Sequence, residues 1–111
     1  MTRFPCPYLH GEVELTDERE QHIAESHPDL LPDHRDLLAQ VLSEPDQVRR
    51  SRRFGNARLF SRWFDTLREG KHVVVAVVSE ESAHNAHSRH WLITAYIARK
   101  LAQGDMEWTR S

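Results

Sequence analysis

Apolar and polar positions follow one period before Pro45 and another after it. In the first part, Thr16 and Asp17 offer a helix N-cap, and Asp17 and Glu20 stand at capping-box spacing. Acidic residues in that first turn favour the positive end of the helix dipole. The pattern predicts a helix from Asp17 to Ser26, ended because Pro28 pushes His27 away from helical geometry. A second helix is predicted after Pro32 and Asp33, with Leu37, Leu38, Val41 and Leu42 on one face and Pro45 closing it. Ahead of both, Pro5, Pro7 and Gly11 mark residues 1–11 as an irregular arm, and Glu12–Leu15 reads as a short strand.

After Pro45 the alternation is that of strands. Gln47–Phe54, Ala57–Phe64, Val73–Ser79 and His90–Arg99 are predicted as four, separated by Gly55-Asn56, by Gly70 and by a polar loop near residues 80–89. The uninterrupted Val73–Val78 run marks a central strand covered on both faces. In the last strand Trp91, Ile93, Ala95 and Ile97 share the expected core face, and His90, Leu92, Thr94 and Tyr96 share the other. In the second, Arg58, Phe60, Arg62 and Phe64 lie on one face, and Trp63 on the other is expected to be core. The expected fold is α+β: two N-terminal helices packed on a four-stranded antiparallel sheet, in one domain spanning residues 1–111.

Composition sets outer bounds. Charged residues make up 29% and the apolar set 39%, as in a foldable globular chain. The six apolar residues Val73–Val78 fall far short of the ~20 that cross a bilayer. No charged-then-apolar leader opens the chain, and the sole cysteine, Cys6, excludes a disulfide framework and a thiolate-rich zinc site. These features point to a cytoplasmic protein without a membrane anchor.

The distribution of charge is more informative. Residues 1–48 hold three arginines against eleven carboxylates; residues 49–71 hold Arg49, Arg50, Arg52, Arg53, Arg58, Arg62, Arg68 and Lys71 against only Asp65 and Glu69. A local balance of −8 thus adjoins one of +6. The two blocks can pair with each other, or the arginines can serve nucleic acid, whose phosphates suit forked guanidinium donors. Aromatics among them, Phe54, Phe60, Trp63 and Phe64, suit single-stranded nucleic acid or a plain core.

Three groups bear on chemistry. His22 and His27 stand five apart at the end of the first helix, about 140° apart in direction on an unbroken helix, and imidazole titrates near neutral pH. One ring can face the sheet while the other caps the helix. Thr94 and Tyr96 can donate to phosphate oxygens beside the arginines, whose guanidinium groups suit an extra-negative phosphorane. The third group, His84, His87 and His90, has a spacing that can bind a transition metal, but His84 and His87 lie on a polar loop, His90 starts a strand, and no carboxylate sits among the three; no metal or cofactor is expected.

The order of these parts resembles the phage-associated barnase/EndoU/colicin/RelE-like nuclease families. The likeness runs through Val13-Glu14-Leu15-Thr16-Asp17-Glu18-Arg19, His22-Ile23, His27-Pro28-Asp29-Leu30, Glu44-Pro45-Asp46 with Val48-Arg49, Gly70-Lys71-His72-Val73-Val74-Val75 and Ile93-Thr94-Ala95-Tyr96, and covers roughly Glu12 to Trp108. It implies a metal-independent ribonuclease of toxin or phage type, in which a 2′-hydroxyl attacks the adjacent phosphate. On this likeness His27 is the leading acid/base candidate and His22 its helper. Arg62 and Lys71 stabilise the phosphate, Thr94 and Tyr96 line the site, and Arg49, Arg50, Arg52, Arg53 and Arg58 hold the nucleic acid. RNA is the expected partner, structured RNA such as tRNA included, with a neutralising protein as a further partner. The chain departs from the families in carrying Asp29 where glutamate is common, and Phe60, Arg62 and Phe64 where tyrosines and lysine are. Two other classes fit the same residues: a non-catalytic nucleic-acid-binding module, and a protein-interaction domain whose acidic first third mimics nucleic acid. The enzymatic reading requires an early imidazole and the later guanidinium groups to converge on one pocket.

Overall fold

A computed structural model describes residues 1–53, 56–81, 88–101 and 104–110. The strands are β1 (Thr2–Cys6), β2 (Gly11–Leu15), β3 (Gln47–Ser51), β4 (Ala57–Phe64), β5 (Lys71–Glu81), β6 (Ser88–Ala98) and β7 (Gly104–Thr109); the helices are α1 (Asp17–Ser26) and α2 (Arg35–Ser43), with a 3-10 turn at Pro7–Leu9. The strands form one sheet in the order β1-β2-β6-β5-β4-β3-β7. Every neighbouring pair is antiparallel except β2 and β6, which join in parallel through Val13↔His90 and Glu14↔Trp91.

The expected four-stranded antiparallel sheet is therefore wrong: the sheet is seven-stranded and mixed, and among the described residues about 51% are strand and 22% helix, the 3-10 turn included. Both missed strands are edges. β1 contains Pro5, which reads as a breaker but sits on an edge, where a residue without an N–H is tolerated; its Phe4 and Cys6 alternate into the core. What was expected as an irregular arm is this strand plus the 3-10 turn. β7 is half-buried only at Gly104 and exposed beyond it, so no apolar alternation announces it. Its existence depends on pairing with β3.

The helices form as their local signals dictate. Thr16 caps α1, its hydroxyl accepting from the Arg19 N–H at 3.2 Å, and Asp17, Glu18 and Glu20 occupy the first turn. The chain leaves the helix at His27, before Pro28. α2 buries Leu37, Leu38, Val41 and Leu42 and packs on β1, β4 and β5. Each such leucine contributes on the order of 1.5–3 kcal/mol by leaving water. Among the described residues no helix is long and apolar enough to cross a membrane.

Paired residues share a sheet face. Val73, Val75 and Val77, with their partners Phe60, Leu92, Ala95 and Ile97, join the core formed with the helices. Val74, Ala76 and Val78 share the opposite face with Ala57, Leu59, Ser61, Thr94 and Tyr96. β5, fourth of seven, is buried from Val73 to Val78.

Bulges in β6 and β7 redirect side chains. In β6, Leu92 pairs with Val77 and Thr94 with Ala76, leaving Ile93 as the inserted residue. The insertion reverses the alternation upstream of it. His90 and Leu92 are buried on the helix side, whereas Trp91 and Ile93, expected in the core, are only half-buried. In β7, Val48 faces Trp108 and Arg49 faces Met106, so Glu107 is the inserted residue.

Trp63 also departs from expectation. It is 40% exposed, lies edge-on to His72 at 4.9 Å between ring centroids, and donates its indole N–H to Asp65 at 2.7 Å. Its ring lies over Gly70, where a Cβ would stand 2.2 Å from the Trp63 Cζ2. Gly70 has φ +69°, so the turn requires glycine twice over.

Candidate functional site: a carboxylate held by two arginines

One cluster gathers around the bulged strands. Arg50 and Arg58 are paired residues of β3 and β4, hence on one face. Glu107, displaced by its bulge, meets both: Arg58 Nε lies 3.1 Å from Oε1 and Arg50 Nε 3.4 Å from Oε2. The Tyr8 hydroxyl, brought by the 3-10 turn, donates to the same Oε1 at 3.2 Å. Its ring stands edge-on to Phe60 at 5.7 Å, which fixes the hydroxyl's direction.

On its other side Arg58 donates to Ser79 Oγ at 3.5 Å, and that oxygen lies 2.6 Å from His90 Nδ1. With a guanidinium donating to the Ser79 oxygen, the hydroxyl proton is free to serve the imidazole nitrogen. His90 is 7% exposed, so it belongs to the cluster's floor. Glu107 and Arg58 retain about a quarter and a fifth of their side-chain surface (26% and 21%). Tyr8, Arg50, Arg58 and Glu107 thus all keep some surface in contact with solvent, unlike His90.

The electrostatics favour an anion. Two guanidinium charges meet one carboxylate, which leaves an excess of one positive charge beside a neutral phenol. Burial pushes the Tyr8 phenol up from its ordinary range, and the nearby Glu107 charge and hydrogen bond push it further. Tyr8 is therefore a protonated donor at neutral pH. Beneath it, burial raises the Cys6 thiol as well, which leaves it protonated and a poor nucleophile.

The residues singled out in the sequence are distributed differently. His27 is the residue that ends α1, half-buried, with its ring 6.0 Å from that of Tyr96. Thr94 shares a sheet face with Tyr96, whose phenol is raised by burial. His22 is exposed, in a shallow depression with Thr16, Glu18 and Arg19, apart from the sheet. Arg62 is on the helix-side face, the face opposite Thr94 and Tyr96; its guanidinium lies 3.8 Å from Glu44 and over the Phe64 ring at 5.3 Å. Lys71 binds the Arg68 and Gly70 carbonyls and pairs with Glu69. His27 and Tyr96 are thus brought together, while Arg62 is held at Glu44 on the opposite sheet face and Lys71 at the turn before it, so the expected convergence of the early imidazoles with these cations on one pocket is not formed.

The basic block divides similarly. Arg50 and Arg58 converge, Arg52 pairs with Asp105 at 3.2 Å, and Arg49 lies on the far face with its Nε on Gln47 at 2.7 Å. Arg53 follows β3 and is exposed. The carboxylates that meet Arg50, Arg52 and Arg58 come from β7, not from the acidic first third. His84 and His87 lie outside the described residues, and His90 belongs to the Ser79 pair. Tyr8, Ser79 and Glu107 were not signalled by any sequence motif, because the pairing and a bulge bring them together rather than any spacing along the chain.

Comparisons with protein-family models, with curated proteins and with solved structures found no match to this chain.

Proposed function

We propose that this protein is a metal-independent ribonuclease whose reacting phosphate is held by Arg50 and Arg58. The observation that carries the reading is the convergence of two guanidinium groups and a phenol on the Glu107 carboxylate. Cleavage by internal transesterification needs a base for the 2′-hydroxyl, donors for the extra-negative phosphorane and an acid for the departing oxygen. Glu107 takes the 2′-hydroxyl proton as the O2′–P bond forms. Arg50 and Arg58 transfer N–H donors to the non-bridging oxygens. Tyr8 gives its proton to O5′ as the P–O5′ bond breaks, and recovers one from Glu107 through solvent. The products are a 2′,3′-cyclic phosphate and a free 5′-hydroxyl. Ser79 and His90 act through Arg58, holding its fork in place, and so are positioning residues. The reading carries with it a cytoplasmic setting, kinship with the nuclease families resembled by the sequence, and RNA as the partner.

A second reading rests on the His27–Tyr96 contact, in which His27 is the acid or base. One experiment separates them: total RNA is incubated with the purified chain in chelator, and the new ends are mapped. The proposal expects cyclic-phosphate ends, lost by about 10²-fold or more in Glu107→Gln and kept in His27→Ala. The opposite pattern moves the chemistry to His27. No cleavage by the wild-type chain removes the enzymatic reading.

A further inference from the structure

Beside the arginine-held carboxylate lies a groove of about 530 Å³, a size typical of small-ligand sites. Its walls are the rings of Tyr8 and Trp108, their centroids 6.0 Å apart and planes tilted by 54°. Pro45, Ser43, Glu44 and Arg110 also line it. Trp108 is 38% exposed, although a tryptophan on a sheet usually buries its ring. The ring is nevertheless firmly carried. Arg110 donates to the Glu44 carbonyl at 2.7 Å and pairs with Asp46, while its own N–H donates to the Asp46 carbonyl at 2.8 Å. Asp46 is in turn tied to β4, its N–H donating to the Ser61 carbonyl at 2.8 Å. An exposed aromatic face on a braced strand suits a flat, apolar ligand.

The groove and the polar cluster share a wall. Tyr8 lends its hydroxyl to Glu107 and its ring to the groove, and Trp108 is the next residue after Glu107. A phosphate on Arg50 and Arg58 therefore places the base of its own or the adjoining nucleotide at the groove. We propose that the groove holds one unpaired RNA base, stacked on Trp108, and so selects single-stranded over duplex RNA. This inference rests on the reading of the chain as acting on RNA. A base held in a duplex keeps both faces stacked and does not reach the Trp108 ring. Base stacking on an aromatic side chain is tolerant of sequence, so the selection is for strandedness.

The test separates the subsite from catalysis by using a probe that does not react. A labelled 2′-O-methyl hexanucleotide, which lacks the attacking hydroxyl, is titrated into the wild-type chain, Trp108→Ala, Trp108→Phe and Glu107→Gln. The Trp108 indole resonance is followed in the wild-type chain, with Trp63 and Trp91 as internal references. The expected result is a shift of the Trp108 indole, about tenfold or more weaker binding for Trp108→Ala, less than about threefold for Trp108→Phe, and retained binding for Glu107→Gln. The corresponding duplex leaves the indole unmoved. Single-strand binding that neither moves the indole nor responds to Trp108→Ala overturns the subsite while leaving the ribonuclease reading intact. A proline-rich peptide that shifts the indole where the hexanucleotide does not makes the groove a peptide site and likewise overturns it. Failure of the wild-type chain both to bind the probe and to cleave RNA removes both proposals together.

Discussion

Arg58 joins the two halves of the polar cluster, and its replacement tests the whole arrangement. Its Nε lies 3.1 Å from Glu107, with the two side chains 21% and 26% exposed. At this separation and partial burial the gross attraction is on the order of 4 kcal/mol. Desolvation and the ordering of two side chains return most of it, leaving about 1 kcal/mol net. The longer bond to Ser79 adds a few tenths at most. Arg58→Ala is therefore expected to cost about 1.5 kcal/mol, counting lost packing of its aliphatic stem, and to lower Tm by roughly 5–10 °C. Arg58→Lys keeps the charge but cannot span Glu107 and Ser79 together, so about half that loss is recovered. On the ribonuclease proposal, both variants lose about 10²–10³-fold in RNA cleavage, because each removes a preorganised fork. Thermal melts, a double-mutant cycle with Glu107→Gln and single-turnover cleavage measure these terms. A coupling below about 0.3 kcal/mol, together with wild-type cleavage in both Arg58 variants, would refute the cluster as a working unit.

Other consequences are checked more simply. Gly70→Ala forces a side chain into the left-handed region and against the Trp63 ring; a loss of about 2 kcal/mol or more is expected by chemical denaturation, and an unchanged midpoint contradicts the close approach. The Tyr8, Tyr96 and Cys6 groups have raised pKa values, chiefly through burial. Their neutral forms stabilise the fold below their ordinary ranges, and this stabilisation disappears as pH rises through the raised values. Denaturation between about pH 8 and 11 should show that decline, shallower in Tyr96→Phe; a flat profile argues against burial of these groups. On the acid side, the Arg89 hydrogen bond holds the Glu14 carboxyl below its usual range. The small stabilisation from that pair is present above the ordinary carboxylate range and lost as pH falls through the lowered value, so Arg89→Ala should remove part of the acid dependence of the midpoint.

How legible the fold was depended on whether a signal was local. Thr16, the acidic first turn and Pro28 fix α1 without reference to anything distant, and Asp17–Ser26 follows from them. Leu37, Leu38, Val41 and Leu42 do the same for α2, and the β-branched run does so for β5. β1 and β7 carry no such signal: a proline obscures one, and the other is a largely exposed edge whose place comes from its pairing with β3. The site was less legible still. Arg50 and Arg58 stood out as cations, but nothing in the spacing of the arginines distinguishes them from Arg49, which the alternation sends to the other face. Strict alternation puts His90 on the wrong face, because a single inserted residue, Ile93, reverses the parity of everything before it. Glu107 is aimed by a bulge, and a bulge is a property of two strands together.

The pairing of Glu107 with Tyr8 also has a consequence for biosynthesis. The two lie 99 positions apart in the chain. A ribosome releases polypeptide from the N-terminus onward, so Tyr8, Arg50 and Arg58 emerge before their carboxylate does. On the ribonuclease reading, a growing chain is harmless to the message and the ribosomal RNA around it. On that same reading, the cluster is complete only when residue 107 has emerged and taken its place in the sheet.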